Sequence, residues 1–259
     1  MRIVRISHRD APAWGVVDAT GQHVRLLSGT PFDEVIRYTG VQTPLVEADL
    51  LAPVVPSKIY CLGRNYADHV VQMGYEELGP PSLFMKGPTT IVGPGGTVVI
   101  PSPDVDGVIE HEAELAIVIG RTARNVRRED AADVILGYTC ADDVSARTLQ
   151  RGDPYPTRGK GFDTFCPVGP WVDTEFDPHA DARIGSRVNG EPRLEGTTGQ
   201  MTYDVGAVVE FVSSFSTLLP GDLILTGAPG GPGGITAGDR VEIEIEGLGT
   251  LVHDVAFEG

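Results

Sequence analysis

The sequence predicts a mainly β protein of the α+β class, in which a mixed sheet is rolled up rather than assembled from regular βαβ units. Runs rich in valine and isoleucine follow one another in PPSLFMKG, TTIVGPGGTVVIP and EAELAIVIG, and proline and glycine separate them without long helical patterns. Later in the chain, Val241, Ile243 and Ile245 alternate with glutamates, which is typical of a strand with one buried face.

The length of 259 residues allows one large domain with a smaller appendage. We expect residues 1–55 to form a small N-terminal β domain and residues 56–259 to form the main β-roll domain. The boundary is placed in PLVEADLLAPVVPSK, where three prolines interrupt a run of apolar residues.

The N-terminal domain is predicted to begin with a strand in RIVRIS. A hairpin follows in WGVVDATGQHVRLL, because Asp18 to Gln22 supply turn residues between two runs that can pair. The segment PFDEVIRYTG predicts a short helix, with Pro31 near its start and Gly40 after its end.

In the main domain, REDAADVILG predicts a helix of about two to three turns that opens with acidic residues. The clearest helix lies in TYDVGAVVEFVSSF, where Thr202 is the candidate N-cap and apolar residues recur at helical spacing through Phe215. Between these helices, the Asn-Gly pair in SRVNGEPRLEG predicts a β-hairpin.

The charge and cysteine content exclude several classes of protein. The chain carries 36 acidic and 20 basic residues, a formal charge of −16, which argues against a nucleic-acid or anionic-membrane partner.

The apolar runs and the N-terminus bear on the compartment. No apolar run approaches the ~18 residues of a membrane helix and MRIVRISHRD lacks a signal-peptide core, so we expect a cytoplasmic protein. Cys61, Cys140 and Cys166 form no CxxC pair and are expected to be buried free thiols.

Acidic residues in the middle of the chain indicate a cation site. Glu112 and Glu114 stand two apart at the head of the apolar run LAIVIG, so in a strand both face the same side. Such a pair is often a solvated strand face, but here it opens a buried strand, where carboxylates are costly unless a cation balances them. Asp142 or Asp143 would supply a third carboxylate, and the pattern alone does not choose between them. Oxygen ligands favour Mg²⁺, Mn²⁺ or Ca²⁺ over zinc.

Basic residues near these acids indicate an anionic ligand. Arg147 and Lys160 would bind a carboxylate, and glycines flank Lys160, which lets its backbone approach a ligand closely. His69 is a candidate acid or base because imidazoles titrate near neutral pH, although a lone histidine is more often structural. The loop TGAPGGPGG has no following G-K-[ST], which favours a backbone contact with a ligand over a phosphate loop.

Taken together, these residues resemble the fumarylacetoacetate hydrolase family, in particular its shorter acylpyruvase and 2-hydroxyhepta-2,4-diene-1,7-dioate isomerase branch. The resemblance extends over roughly residues 58–255 and identifies the family better than the substrate. Its motifs are GRNYADH at Gly63–His69, PSLFMKGPTTIVGPGG, the EAEL strand, DDVSAR at Asp142–Arg147, KGFDTFCPVGP at Lys160–Pro170, VNGE at Val188–Glu191 and GDLILTGAP at Gly221–Pro229.

The resemblance implies a mixed β-roll with a small N-terminal domain, a homodimer, and a small-molecule 2-oxo acid as substrate. It implies that Glu112, Glu114 and Asp143 bind Mg²⁺ or Mn²⁺, with Ca²⁺ as a further candidate. These expectations place the catalytic centre in the main domain.

The remaining implied roles concern the substrate. Arg147, Gln150 and Lys160 match positions that contact the substrate or stabilise its oxyanion, and Thr226 matches one that binds the substrate carboxylate. His69 matches the histidine of a mobile lid segment that acts as base or activates water. The catalytic residues implied by the resemblance are therefore His69 and Lys160.

The sequence departs from the family pattern at Gln72, Thr148 and Ala228. Where the family often has an acid three residues after the lid histidine, Gln72 can orient an imidazole but cannot stabilise its charged form, which weakens the inference to hydrolysis.

The predicted function is that of a divalent-metal-dependent enzyme that acts on a 2-oxo or 2,4-dioxo acid through a stabilised enolate. Hydrolysis of a C–C bond in an acylpyruvate-type substrate ranks first. The alternative is isomerisation, tautomerisation or decarboxylation of the same substrate class, of the oxaloacetate or 2-hydroxyhepta-2,4-diene-1,7-dioate type. A non-enzymatic metal-binding protein is a remote alternative, and a glycosidase is disfavoured because few aromatic residues are available to line a sugar cleft.

Overall fold

The computed structural model describes residues 1–66, 82–101, 108–231 and 233–259. The mainly β, mixed-sheet class predicted from the sequence is confirmed, since strands dominate the described residues. The strands are β1 (Arg2–His8), β2 (Ala11–Val17), β3 (His23–Leu27), β4 (Tyr38–Pro44), β5 (Asp49–Leu51), β6 (Ile59–Gly63), β7 (Ser82–Lys86), β8 (Ile91–Val92), β9 (Thr97–Ile100), β10 (Ile109–Glu110), β11 (Ala113–Ile119), β12 (Ile135–Asp142), β13 (Ser145–Ala146), β14 (Cys166–Asp173), β15 (Arg183–Val188), β16 (Glu191–Thr197), β17 (Leu223–Leu225), β18 (Gly234–Ile235), β19 (Arg240–Ile245) and β20 (Gly249–Phe257).

Helices are few and short in the described residues. The α-helices are α1 (Arg147–Gly152), α2 (Thr157–Lys160) and α3 (Val205–Phe215), and 3₁₀ helices cover Leu45–Glu47, Pro88–Thr90, Arg128–Asp133 and Thr198–Gln200. None of these helices is long and apolar enough to cross a membrane.

The strands form one large sheet and two smaller ones. The large sheet has the order β4-β3-β2-β1-β14-β12-β11-β17-β6-β7, with β5 paired to β1 and β8 paired to β14. A five-stranded sheet has the order β16-β15-β19-β20-β9, and a three-stranded sheet has the order β13-β10-β18. Most neighbours are antiparallel, whereas β17 with β6, β14 with β8 and β20 with β9 are parallel, so the sheets are mixed.

The N-terminal strands continue the large sheet. Strand β1 pairs with β14 through Ile3 and Val172, and both residues are completely buried in one hydrophobic cluster. The predicted hairpin is confirmed as β2 and β3, which pair from Gly15 to Val17. The domain boundary near residue 55 stays a prediction.

The short helix predicted in PFDEVIRYTG is wrong. Its last three residues form the start of β4, where Tyr38 pairs with Leu27, and its first half consists of turns and bends. Val35 remains exposed, and the pairing of β4 with β3 determines the conformation of this end of the segment. The Arg25 guanidinium stacks 3.9 Å from the Tyr38 ring centroid.

Two other predictions are confirmed with changes of detail. The helix in TYDVGAVVEFVSSF is α3, but its N-cap is Asp204, whose Oδ1 accepts from the Ala207 N–H at 2.9 Å, and not Thr202. The Asn189-Gly190 turn joins β15 to β16, with both residues at positive φ.

The helix predicted in REDAADVILG is confirmed in its first part only. It is a six-residue 3₁₀ helix that ends at Asp133, and β12 begins at Ile135. Strand β12 pairs with both β11 and β14. This pairing, and not the local sequence pattern, determines the conformation of the last residues of REDAADVILG.

A buried ion pair fixes the start of the main sheet. The Asp222 carboxylate is completely buried and accepts from Ser57, Leu219 and the Lys58 ammonium, whose Nζ lies 2.5 Å from Oδ2. Strands β6 and β17 pair in parallel directly after Lys58 and Asp222, so this network holds their common starting edge.

Replacement of Asp222 should therefore destabilise the fold. We expect Asp222→Ala to lower the free energy of unfolding by about 3 kcal/mol, because the Lys58 ammonium and several backbone donors lose a buried acceptor. Chemical denaturation would measure the change. The matched control is Glu246→Ala, which breaks an exposed pair with Arg183 and should lower the free energy of unfolding far less. Equal losses in the two variants would contradict the assignment.

Candidate active site

The candidate site forms where β11 and β12 end side by side. The register pairs Ala113 with Asp142, and the Asp143 N–H donates to the Glu112 carbonyl at 3.0 Å. The acidic residues at the start of β11 therefore meet those at the end of β12. A cleft of about 330 Å³ opens there. Its walls are Leu62, Gly63, Arg64, Ser82, Phe84, Glu112, Glu114, Asp143, Arg147, Gln150, Asp153, Pro154, Tyr155, Pro156, Lys160, Gly227 and Ala228.

Three buried carboxylates lie together in this cleft. Glu112, Glu114 and Asp143 each offer a carboxylate oxygen, and these oxygens lie within 4.8 Å of one another. Asp142 is directed elsewhere, because its carboxylate accepts from the Glu112 N–H at 2.7 Å and lies 2.8 Å from His253 Nε2. The geometry therefore groups Asp143, and not Asp142, with the two glutamates.

The charge state of this cluster fits a divalent cation. Burial, together with the negative charges of Asp143 and Glu112, raises the pKa of Glu114 well above its ordinary value. Asp143 Oδ1 is buried and accepts no aligned hydrogen bond in the described residues. Carboxylate oxygens are hard ligands, and such ligands suit Mg²⁺, Mn²⁺ or Ca²⁺.

Lys160 lies at the centre of the acidic cluster. Its ammonium donates to the Asp143 carboxylate at 2.7 Å and to Glu112. Burial alone would lower the pKa of Lys160, but the charges of Asp143 and Glu112 outweigh it and raise the pKa above its ordinary value. The side chain is 3% exposed, so the two carboxylates, and not water, stabilise its charge.

Arg147 and Gln150, from α1, flank the same cluster. The Arg147 guanidinium donates to Glu110 at 2.5 Å, to Glu112 at 2.6 Å and to the Gln150 side-chain oxygen at 2.8 Å. Burial alone would raise the pKa of Glu112, but Lys160 and Arg147 hold it well below its usual range. In this arrangement Arg147 orients Glu112, and its expected contact with a substrate stays a prediction, as does that of Gln150.

Thr226 does not line the cleft. It directly follows β17, is completely buried, and donates both its N–H and its hydroxyl to the Leu115 carbonyl, at 3.0 and 2.9 Å. The next residue, Gly227, has a φ of 94° and donates its N–H to Glu114 Oε2 at 2.6 Å. The expected contact of Thr226 with a substrate carboxylate stays a prediction, whereas the backbone of the glycine-rich loop does reach the site.

His69 and Gln72 lie outside the described residues. Their predicted parts in proton transfer stay predictions.

Two features of the site are not evident from the residue pattern alone. Lys86, in FMKG, is 1% exposed, and its ammonium contacts the Oδ1 atom of Asp143. His253 is completely buried against Asp142. Its side chain lies on the buried face of β20, as do those of Leu251 and Val255. A histidine at an apolar position of a strand is a signal that the sequence does contain, whereas a single lysine carries none.

Comparison with known proteins agrees with this geometry. Residues 58–256 match the family model described as Fumarylacetoacetate (FAA) hydrolase C-terminal, and residues 1–53 match the model described as Rv2993c-like, N-terminal. Protein Rv2993c of Mycobacterium tuberculosis is 45% identical over 267 residues, which cover 100% of this chain and 99% of that protein. Human oxaloacetate tautomerase FAHD2A, a mitochondrial protein, is 40% identical over 82% of this chain and 71% of its own.

Solved structures show the same architecture over the entire chain. The 2-hydroxyhepta-2,4-diene-1,7-dioate isomerase from Mycobacterium marinum superimposes with a TM-score of 0.90 at 44% identity, over 100% of this chain and 99% of that one. Maleylpyruvate hydrolase from Sphingobium sp. SYK-6, solved with a manganese(II) ion and pyruvate, gives a TM-score of 0.82 at 30% identity, with complete coverage of both chains. The chain is therefore an enzyme that belongs to the fumarylacetoacetate hydrolase family.

Proposed function

We propose that this enzyme acts on a 2-oxo or 2,4-dioxo acid by forming an enolate in the cleft, with a divalent cation held by Glu112, Glu114 and Asp143. The observation that carries the proposal is the buried cluster of three carboxylates around the Lys160 ammonium. Mg²⁺ or Mn²⁺ fits these ligands best, and Ca²⁺ is a further candidate. When bound, such a cation would supply fixed positive charge that favours a negatively charged enolate oxygen.

The side chains around the cluster have separable tasks in this proposal. Lys160 has three N–H donors, and in the described residues two of them are engaged by carboxylates, which leaves one for a developing oxyanion. Arg147 holds Glu112 in place through Nη2. Because these groups are almost fully buried, their charges act at low dielectric and need little reorganisation when negative charge develops.

We propose hydrolysis of an acylpyruvate-type substrate as the first outcome of enolate chemistry. Water would add to the distal carbonyl carbon, the adjacent C–C bond would break, and its electron pair would become the enolate that is protonated to pyruvate. His69 is the candidate base for this water. Maleylpyruvate hydrolase, which is 30% identical, supports this outcome.

The second candidate is tautomerisation, isomerisation or decarboxylation of the same class of substrate. In a tautomerisation, a proton would move from the carbon next to the 2-oxo group to its oxygen, and no water would be consumed. Gln72 favours this candidate, because an amide three residues after His69 would not stabilise a protonated imidazole as a carboxylate would. The named relatives that are a tautomerase and an isomerase favour it as well.

The oligomeric state and the compartment stay predictions. We expect a homodimer in the cytoplasm.

The proposal is tested by turnover of a panel of 2,4-dioxo acids and oxaloacetate with Mg²⁺ or Mn²⁺. We expect Glu114→Ala to lower kcat/KM by about 100-fold or more, because one of three proposed ligands is lost. Glu242→Ala, on the outer face of β19, is the control and should retain activity. Activity that survives both chelation and Glu114→Ala would exclude the metal role.

Removal of Lys160 should separate catalysis from cation binding. We expect Lys160→Met to lower kcat by about 10²- to 10³-fold, since an oxyanion donor in a buried site is lost. The affinity for Mn²⁺, measured by calorimetry, should not weaken, because the variant removes a positive charge from beside the carboxylates. An unchanged kcat would show that Lys160 has no part in stabilising the enolate.

The choice of reaction should respond to residue 72. We expect Gln72→Glu to increase hydrolysis of acylpyruvates by about tenfold or more, because a carboxylate at this position could stabilise protonated His69. Product analysis would measure hydrolysis and oxaloacetate tautomerisation side by side in the same preparation. If the ratio of the two rates stays the same, residue 72 does not decide the reaction.

A further inference from the structure

Lys86 is a fully buried cation that does not line the cleft. It is the last residue of β7 and is 1% exposed. Its ammonium donates to three main-chain carbonyls, those of Val144 at 3.0 Å, Lys160 at 2.6 Å and Phe165 at 2.7 Å. All three of its hydrogens are therefore used by the backbone.

A fourth oxygen, Asp143 Oδ1, lies 2.7 Å from Lys86 Nζ. This oxygen accepts no aligned hydrogen bond in the described residues, so the contact is an ion pair. It places a fixed positive charge on the side of Asp143 opposite to the hydrogen bond from Lys160, which reaches Oδ2.

The three carbonyls belong to the segments that carry the site. Val144 directly follows Asp143, Lys160 is the oxyanion-binding candidate itself, and Phe165 directly precedes β14. One ammonium therefore connects the main chain at Asp143 with the main chain at Lys160. Burial of a lysine is costly unless such contacts balance it, so this arrangement is unlike the usual solvated lysine.

We propose that Lys86 is a positioning residue, which fixes the Asp143 carboxylate and the backbone of Lys160 relative to each other so that the carboxylate cluster is preformed for a divalent cation. This inference rests on the proposed function. Lys86 touches neither the cleft nor any reacting atom, so its effect passes entirely through Asp143 and Lys160.

A role in charge neutralisation alone would have the opposite sign. If Lys86 only offset the charge of Asp143, its removal would leave the cluster more negative and would tighten cation binding. If Lys86 positions the cluster, its removal frees three carbonyls and the Asp143 side chain, and cation binding weakens. The direction of the change in Mn²⁺ affinity therefore distinguishes the two roles.

The experiment is a calorimetric titration of the full-length protein with Mn²⁺ alone, beside thermal unfolding of the same samples. We expect Lys86→Met to weaken Mn²⁺ binding by at least tenfold. Lys58→Met is the matched control, because it removes another lysine that pairs with a buried aspartate, remote from the cleft. It should lower the unfolding temperature while Mn²⁺ affinity stays within about twofold of wild type.

Lys86→Arg is a second variant that keeps the charge, should Lys86→Met fail to fold. A guanidinium cannot direct three hydrogens from one nitrogen to these three carbonyls, so we expect weaker Mn²⁺ binding at unchanged charge. Binding as tight as wild type, or tighter, in either folded Lys86 variant would overturn the inference and leave the proposed function intact. If wild-type protein binds no Mn²⁺, the proposed cation site and this inference are both overturned.

Discussion

The site depends on one electrostatic constraint, the burial of three carboxylates within a few ångströms of one another. Like charges at that separation repel strongly where water is excluded, so each needs a partner supplied by the fold. Arg147 and Lys160 pair with Glu112, and Lys160 and Lys86 pair with Asp143. Within the part of the chain that the structure describes, the partner of Glu114 is a backbone N–H. Positive charge is therefore unequally distributed among the three carboxylates, and the electrostatic stabilisation from a bound cation would be largest at Glu114.

The arrangement of the strands satisfies this electrostatic constraint. The partners of the three carboxylates come from β7, α1, α2 and the loop after β17, which lie far apart in the chain and meet only because β11 is central in the large sheet. Asp142 and His253 add a second layer, since Asp142 holds the backbone of Glu112 and is itself fixed by β20. The mixed topology is therefore what brings the counter-charges together.

Much of this could be predicted from sequence, for identifiable physical reasons. Strand alternation and the buried run after Glu114 predict the two glutamates, and the Asn189-Gly190 turn predicts its own hairpin because the signal is local. The choice between Asp142 and Asp143 depends on His253, which lies more than a hundred residues away. The pattern indicates that His253 is buried, but it does not indicate that Asp142 is its partner. Lys86 is not predictable for a similar reason, since its partners are backbone carbonyls. The erroneous helix before β4 shows that start and stop signals do not decide the conformation of a segment whose end pairs with a neighbouring strand.

The pairing of β1 with β14 determines whether one edge of the large sheet is covered. If the first strands were lost, the outer edge of β14 near Val172 would present unpaired backbone groups and an apolar surface to solvent. Such edges recruit strands from other molecules and promote aggregation. The N-terminal strands thus cover an edge of the sheet that would otherwise be open to association with other molecules.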